Sequence, residues 1–183
     1  MSKVYVFLAD GFEEIEGLMV VDLLRRANID LTTVSIMGKK CVTGRSDISV
    51  MADCLFEEVV SFDDGDMLVL PGGMPGTAYL EEYKPLQELI RTYDRAGKRL
   101  AAICAAPTVY GKMGLLDGKN ATCYPGMEGL LIGAKPVTEK FVTDGNYTTS
   151  RGLGTAIEFS LELIRLLSCS ETADQVAISV VFQ

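Results

Sequence analysis

The residues able to do chemistry gather in three short segments. The first is Ala101-Ala102-Ile103-Cys104-Ala105-Ala106-Pro107, which sets a cysteine between a short apolar run of strand character and a helix whose Pro107 suits the first helical turn. Small residues on both sides of Cys104 permit a sharp strand-to-helix turn of the kind that displays a nucleophile. A thiol just ahead of a helix N-terminus meets the positive end of the dipole, which lowers its pKa. The dipole gives roughly 0.3–2 kcal/mol, at most about 1.5 pKa units, so a fully formed thiolate needs a second helper. The other reading of Cys104 is a small buried hydrophobe, the commonest fate of a free cysteine. Cys41, Cys54, Cys123 and Cys169 lack this context and read as structural.

The second segment is the helix predicted over Glu14–Ala27. At about 100° per residue, Glu16 projects into the arc of Met19, Val20, Leu23, Leu24 and Ala27, while Asp22, Arg25 and Arg26 share the opposite arc. An acid on the core side of a helix is seldom found unless it is paired or used. Burial raises a carboxyl pKa, and a protonated Glu16 beside Cys104 would donate a hydrogen bond to its thiolate, the two titrating as a pair. The plainer reading, an acid serving the helix dipole, describes Glu13 and Glu14 well and stays open for Glu16.

Pro71-Gly72-Gly73-Met74-Pro75-Gly76 forms the third segment. A glycine-rich turn after a buried strand frees backbone N–H groups to face a ligand, and a carbonyl oxygen held there beside Cys104 would gain the stabilisation that acyl-type chemistry needs. A plain turn is the alternative. Gly152-Leu153-Gly154-Thr155 half resembles a dinucleotide fingerprint. Ile157 stands where the third glycine belongs and no ribose-binding acid on a strand follows, so the nucleotide reading is rejected.

Composition narrows the chemistry. The 183 residues include no histidine, which excludes a Ser-His-Asp triad, a Cys-His pair and His-ligated zinc or haem. A formal net charge of −8 argues against nucleic-acid and anionic-membrane partners. No apolar stretch reaches the roughly 18 residues that span a bilayer. Met1-Ser2-Lys3 and the roughly six apolar residues after it fall short of a signal-peptide core. Five scattered cysteines without a C-x-x-C pair suggest reduced thiols, and the expected compartment is the cytoplasm.

The elements that must position these groups alternate between strand and helix. Strands are predicted at Val4–Ala9, Leu31–Met37, Ile48–Met51, Met67–Leu70 and Leu100–Ile103. Helices are predicted at Glu14–Ala27, Leu80–Tyr93 with a break near Lys84-Pro85, Pro107–Met113, Thr155–Leu167 and Glu171–Val181. The Gly-rich stretch from Gly118 to Thr149 offers only short strand candidates. With no linker or repeat, residues 1–183 read as one α/β domain with a mainly parallel central sheet covered by helices on both faces. In such sheets the site lies at the strand C-terminal ends, where Asp10-Gly11, Gly72-Gly73 and Cys104 fall.

Together these segments resemble the ThiJ/PfpI superfamily, in the branch of the Parkinson-disease-associated deglycase and its bacterial relatives. The resemblance is carried by Asp10-Gly11-Phe12-Glu13-Glu14-Ile15-Glu16-Gly17, Val69-Leu70-Pro71-Gly72-Gly73, Ala101 through Pro107, and Thr149-Ser150-Arg151-Gly152-Leu153-Gly154-Thr155, in order and over nearly the whole chain. It implies a flavodoxin-like sandwich, a homodimer, and no metal or organic cofactor. It also implies Cys104 as the reactive cysteine, Glu16 as its protonated carboxyl partner, and the N–H groups of Gly73 and Ala105 as an oxyanion-binding pair. Many members carry a histidine near the cysteine, and Tyr124 falls there in this chain, which disfavours peptidase activity. A dimer-related arginine of the family falls on Ser46, one position from Arg45, and its role is not carried over.

The resemblance implies two functions. One is a cofactor-free glyoxalase or deglycase acting on small aldehydes or glycated protein side chains, with Cys104 as nucleophile and Glu16 as proton shuttle. The other is a non-enzymatic oxidative-stress sensor or chaperone working through oxidation of Cys104.

Overall fold

A computed structural model describes residues 2–182. Its centre is a seven-stranded sheet assembled from β1 (Lys3–Leu8), β2 (Asp30–Ser35), β5 (Cys54–Leu55), β6 (Met67–Leu70), β7 (Arg99–Ile103), β10 (Phe141–Asp144) and β11 (Tyr147–Ser150). The spatial order is β10-β11-β7-β6-β1-β2-β5, parallel throughout except for the β10–β11 hairpin at one edge. β3 (Cys41–Thr43) and β4 (Ser49–Met51) form a separate antiparallel pair, and β8 (Asn120–Ala121) and β9 (Lys135–Pro136) a short parallel one.

Alternation along the central strands builds two cores. Val4, Val6 and Leu8 of β1 point to one face, where they pack with α1 (Glu14–Arg26), α5 (Ala156–Leu167) and α6 (Ser170–Ser179). Tyr5 and Phe7 point to the other, with α2 (Gly76–Glu82), α3 (Lys84–Arg95) and α4 (Pro107–Lys112). Both faces of β1, β6 and β7 are thus buried, as their near-continuous apolar sequences require. The α/β architecture expected from the sequence is the one found.

Most boundaries differ from the sequence expectations by one or two residues, and Met67–Leu70 coincides. The longest difference lies between residues 74 and 95. The sequence places a helix start at Leu80, whereas α2 already begins at Gly76 and ends at Glu82. Tyr83 is extended, as the N-cap residue of a helix is, and Pro85 then sits in the first turn of α3. β3 and β5 were not anticipated. Three and two residues long, they owe their form to their partners, β3 to the neighbouring β4 and β5 to β2 some twenty residues earlier.

Register brings the site together. Leu70 pairs with Ala102 and Ser150 with Ile103, so β6, β7 and β11 end at the same level, and β1 runs beside β6. The loops after β1, β6 and β7 therefore emerge side by side.

Candidate active site

Cys104 follows β7 directly, in a left-handed backbone conformation with φ +65°. Such a conformation is costly for a residue with a Cβ, by roughly 1–2 kcal/mol, and persists only where its surroundings impose it. Two hydrogen bonds do so here. The Cys104 N–H donates to the Ser150 carbonyl (2.9 Å), and its own carbonyl accepts from the Tyr124 N–H (2.7 Å). The chain then turns into α4 at Pro107, the sharp turn that the small residues permit.

Glu16 lies in the first turn of α1 and is only 1% exposed, so the core-side projection is correct. Glu13 caps the helix: its carboxylate accepts from the Glu16 N–H (2.7 Å) while its own N–H donates to the Gly72 carbonyl (2.8 Å). The Glu16 carboxyl in turn accepts from the Gly72 N–H (3.0 Å). Helix α1 and the loop after β6 are thus locked to each other through three residues.

Gly72 is the wedge between the two reactive groups. A Cβ at this position would stand 2.5 Å from the Cys104 Cβ and 2.6 Å from the Glu16 Oε2, so only glycine lets thiol and carboxyl approach. Gly152 closes the other side: a Cβ there would meet Glu16 Oε1 and the Tyr124 ring at 3.7 Å and the Cys104 Sγ at 4.0 Å. The segment rejected as a nucleotide loop therefore forms a wall of this site.

Electrostatics follows from burial. Loss of water raises the Glu16 carboxyl to about 7, opposed by its hydrogen bonds from Cys104, Gly72 and Leu153. Burial and the adjacent Glu16 carboxylate push the Cys104 thiol up to about 12, outweighing the N–H groups of Ala105 and Gly73 directed at the sulfur. The sequence predicts the opposite direction, a thiol lowered by the helix dipole. Helix α4 has only six residues and starts three positions further on, and that weak field loses to desolvation. Near neutrality the pair accordingly holds one proton more readily than none. A charge appearing on sulfur is met by a proton arriving on Glu16.

Gly73 combines φ +89° with close backbone approach, its absent Cβ lying 2.3 Å from the Glu13 nitrogen and 2.6 Å from the Phe12 carbonyl carbon. Those neighbours are main chain and have nowhere to move. Gly73→Ala is expected to destabilise the protein by more than about 2 kcal/mol, read as a lower urea midpoint at an unchanged slope.

The opening in front of the sulfur is a cleft of about 260 Å³ lined by Arg45, Gly73, Met74, Cys104, Ala105, Tyr124 and Met127. All four residues singled out from the sequence, Cys104, Glu16, Gly73 and Ala105, meet at or directly behind it. Sequence reasoning missed Arg45, Met74 and Met127 as lining. Glu13 and Glu14, read as acids serving the helix start, do stand there, Glu13 as its cap, and both are buried, at 7% and 2% exposure. Among the described residues, no three Cys, Asp or Glu side chains gather as a metal-ligating group, and no helix is long and apolar enough to cross a membrane.

A strained cysteine at the end of a parallel strand, beside a buried carboxyl and two converging N–H groups, defines the cysteine-elbow class of flavodoxin-like α/β proteins. Residues 2–166 match the DJ-1/PfpI family, and the chain belongs to it. Drosophila melanogaster dj-1beta is 39% identical over 180 residues, covering 97% of this chain and 96% of the relative. Its crystal structure superposes with a TM-score of 0.94 over the full length of both chains. A protein of Pyrococcus abyssi named a deglycase is 32% identical over 168 residues, covering 90% of this chain and 99% of its own. Toxoplasma gondii DJ-1, solved in an oxidized form, superposes with a TM-score of 0.95 at 32% identity, covering 100% of this chain and 99% of its own. Two Arabidopsis thaliana relatives, DJ-1 homologs B and A, are longer, and the chain spans 40% and 45% of their lengths.

Proposed function

We propose that this protein is a cysteine-dependent, cofactor-free glyoxalase or deglycase acting on 2-oxoaldehydes or their adducts with protein side chains. The observation that carries this reading is the buried Glu16 carboxyl beside the strained Cys104, with the Gly73 and Ala105 N–H groups directed at the sulfur. The deglycase name of the archaeal relative supports it.

In this mechanism the Cys104 sulfur bonds to the aldehyde carbon while its proton passes to the Glu16 carboxylate. The carbonyl electron pair moves onto oxygen, which the two N–H groups receive and Glu16 then protonates, giving a hemithioacetal. As carboxylate again, Glu16 takes the proton from that carbon and returns it to the neighbouring carbonyl carbon, while the hydroxyl proton passes to the neighbouring oxygen through the enediol. The result is the thioester of a 2-hydroxy acid. Water attacks the thioester, the carbon–sulfur bond breaks, and the thiol is restored. The sum is oxoaldehyde plus water giving 2-hydroxy acid, with no external oxidant or reductant.

With no histidine in the chain, one carboxyl serves as both acid and base, so modest turnover is expected. The test is lactate formation from methylglyoxal without glutathione. Absence of lactate from the intact protein would remove this reading.

A second reading, an oxidative-stress sensor or chaperone, is favoured by the half-buried Cys104 thiol beside a carboxyl able to hold its oxidised form, and by the oxidized Toxoplasma relative. Mass spectrometry after mild peroxide discriminates. The sensor requires Cys104 to oxidise ahead of the exposed Cys169. Cytoplasmic location is supported by five free cysteines, and a homodimer by the family resemblance.

A further inference from the structure

We propose that the cleft in front of Cys104 selects carbonyl compounds that carry a carboxylate away from the reacting carbon, and that Arg45 is the group that recognises it. The inference rests on the reading of Cys104 as the nucleophile and adds a substrate class to it.

Arg45 is the one lining residue that bears a charge at neutral pH. The rest of the wall is largely Met74, Met127, Tyr124 and backbone, and Arg45 is exposed, so an anion would meet the guanidinium on the solvent-facing side of the cleft. Among the described residues the Arg45 guanidinium has no ion-pair or hydrogen-bond partner; Arg91 and Arg99 share this but do not line the cleft, while Arg25, Arg26 and Arg165 each pair with an aspartate. In a chain of net charge −8, a free arginine beside a nucleophile is the natural counterweight to the field that would otherwise repel an acidic substrate. Its planar fork fits a carboxylate in two-point fashion.

The arginine is also held in place. Its backbone N–H donates to the Phe12 carbonyl (2.8 Å), and the Asp47 N–H closes a turn onto Gly44 (3.2 Å). The buried Glu14 carboxylate accepts from the Ser46 N–H (2.7 Å), and Gly44 packs so closely on Glu14 that a Cβ would overlap it. Glu14 and Glu16 stand two positions apart in the first turn of α1. One short helical turn thus fixes both the proton shuttle and the loop that presents Arg45. That gives Glu14, which the mechanism leaves unused, a positioning role.

Arg45 stands in the cleft wall, whereas Glu16 and the Ala105 and Gly73 N–H groups bear on the sulfur itself. It therefore acts on the far end of a substrate rather than on the sulfur. This separates the proposal from the mechanism and allows a test without turnover.

Iodoacetate and iodoacetamide are nearly equal in size and differ by one charge, and both alkylate a thiol by displacement of iodide. The ratio of their rates at Cys104, followed by intact mass and peptide mapping, is expected to fall about five-fold in Arg45→Gln, the scale of an exposed charge pair. Arg45→Lys is expected to keep part of the preference, and added salt to erode it in the native protein. A ratio unchanged by Arg45→Gln overturns the proposal. So does labelling of Cys104 by iodoacetamide with none by iodoacetate, since a cleft that refuses the smallest acid while admitting its neutral twin cannot select a larger one. In the enzymatic arm, Arg45→Gln is expected to lower kcat/KM for 4-carboxyphenylglyoxal relative to phenylglyoxal by a similar factor, through KM. If neither glyoxal is turned over while the alkylation ratio falls, the glyoxalase reading fails and the anion site stands.

Discussion

Cys104→Ser is expected to abolish lactate formation from methylglyoxal, by at least about a thousand-fold in kcat/KM, while the melting temperature stays within a few degrees of the native protein. The size of the loss follows from the proton inventory. A thiol pushed up to about 12 still sheds its proton to a carboxylate near 7 when a carbon–sulfur bond forms at the same time. An alcohol in the same place is a far weaker acid, and with no histidine in the chain nothing stronger than Glu16 is available to activate it. Stability should barely change, because serine keeps the size of the side chain and inherits the same left-handed backbone at φ +65°. The bonds to the Ser150 carbonyl and from the Tyr124 N–H are main chain and survive. Side-by-side rate and thermal-unfolding measurements decide it. A serine variant with native activity would place the chemistry elsewhere.

The parts of this site legible in the sequence are those set by local pattern. Glu16 betrayed itself because a helix of known period makes one misplaced carboxyl visible among Met19, Val20, Leu23 and Leu24. Cys104 stood out because a buried strand stops and a proline opens a helix within four residues. The order of strand and helix was enough for the parallel sheet, and the sheet was enough to bring three loops together. What stayed hidden depends on contacts between distant segments. Arg45 reaches the cleft because Phe12 and Glu14 hold its loop, and nothing within residues 38–52 announces either partner. Burial of Glu13 and Glu14 was invisible for the same reason: the loops after β6 and β3 cover the start of α1. The thiol shift came out opposite in sign, since the dipole is a local term and desolvation a tertiary one, and the tertiary one is larger. The Gly152 segment carries no nucleotide signature, and its use is to wall Glu16 and Cys104.

Glu16→Gln is expected to move activity and stability in opposite directions. Glutamine cannot take or return a proton, so turnover should fall by about 10²–10⁴, the usual worth of a positioned acid–base group. In the native protein the rate should climb as pH rises through about 7, where Glu16 ionises, and that limb should vanish in the variant. Stability follows from linkage. The folded carboxyl titrates near 7 against an unfolded value near 4.5, so between those limits the native state keeps a proton the unfolded chain has released. The contribution is complete below about 4.5 and is lost as pH rises through 7, amounting to about 3 kcal/mol for a shift of this size. Glutamine retains an acceptor for the Gly72 N–H and carries no such penalty. Relative to the variant, the native protein should therefore be equally stable at pH 4 and weaker at pH 8, by roughly 6–12 °C in melting temperature. Removing the carboxylate also removes one of the causes that hold the thiol up, so an ultraviolet thiolate titration of the variant should find Cys104 ionising at lower pH. Parallel melting curves for the two proteins across pH 4–8 would mean that Glu16 does not titrate in this range. The carboxyl would then lose its standing as the proton carrier, whatever the kinetics showed.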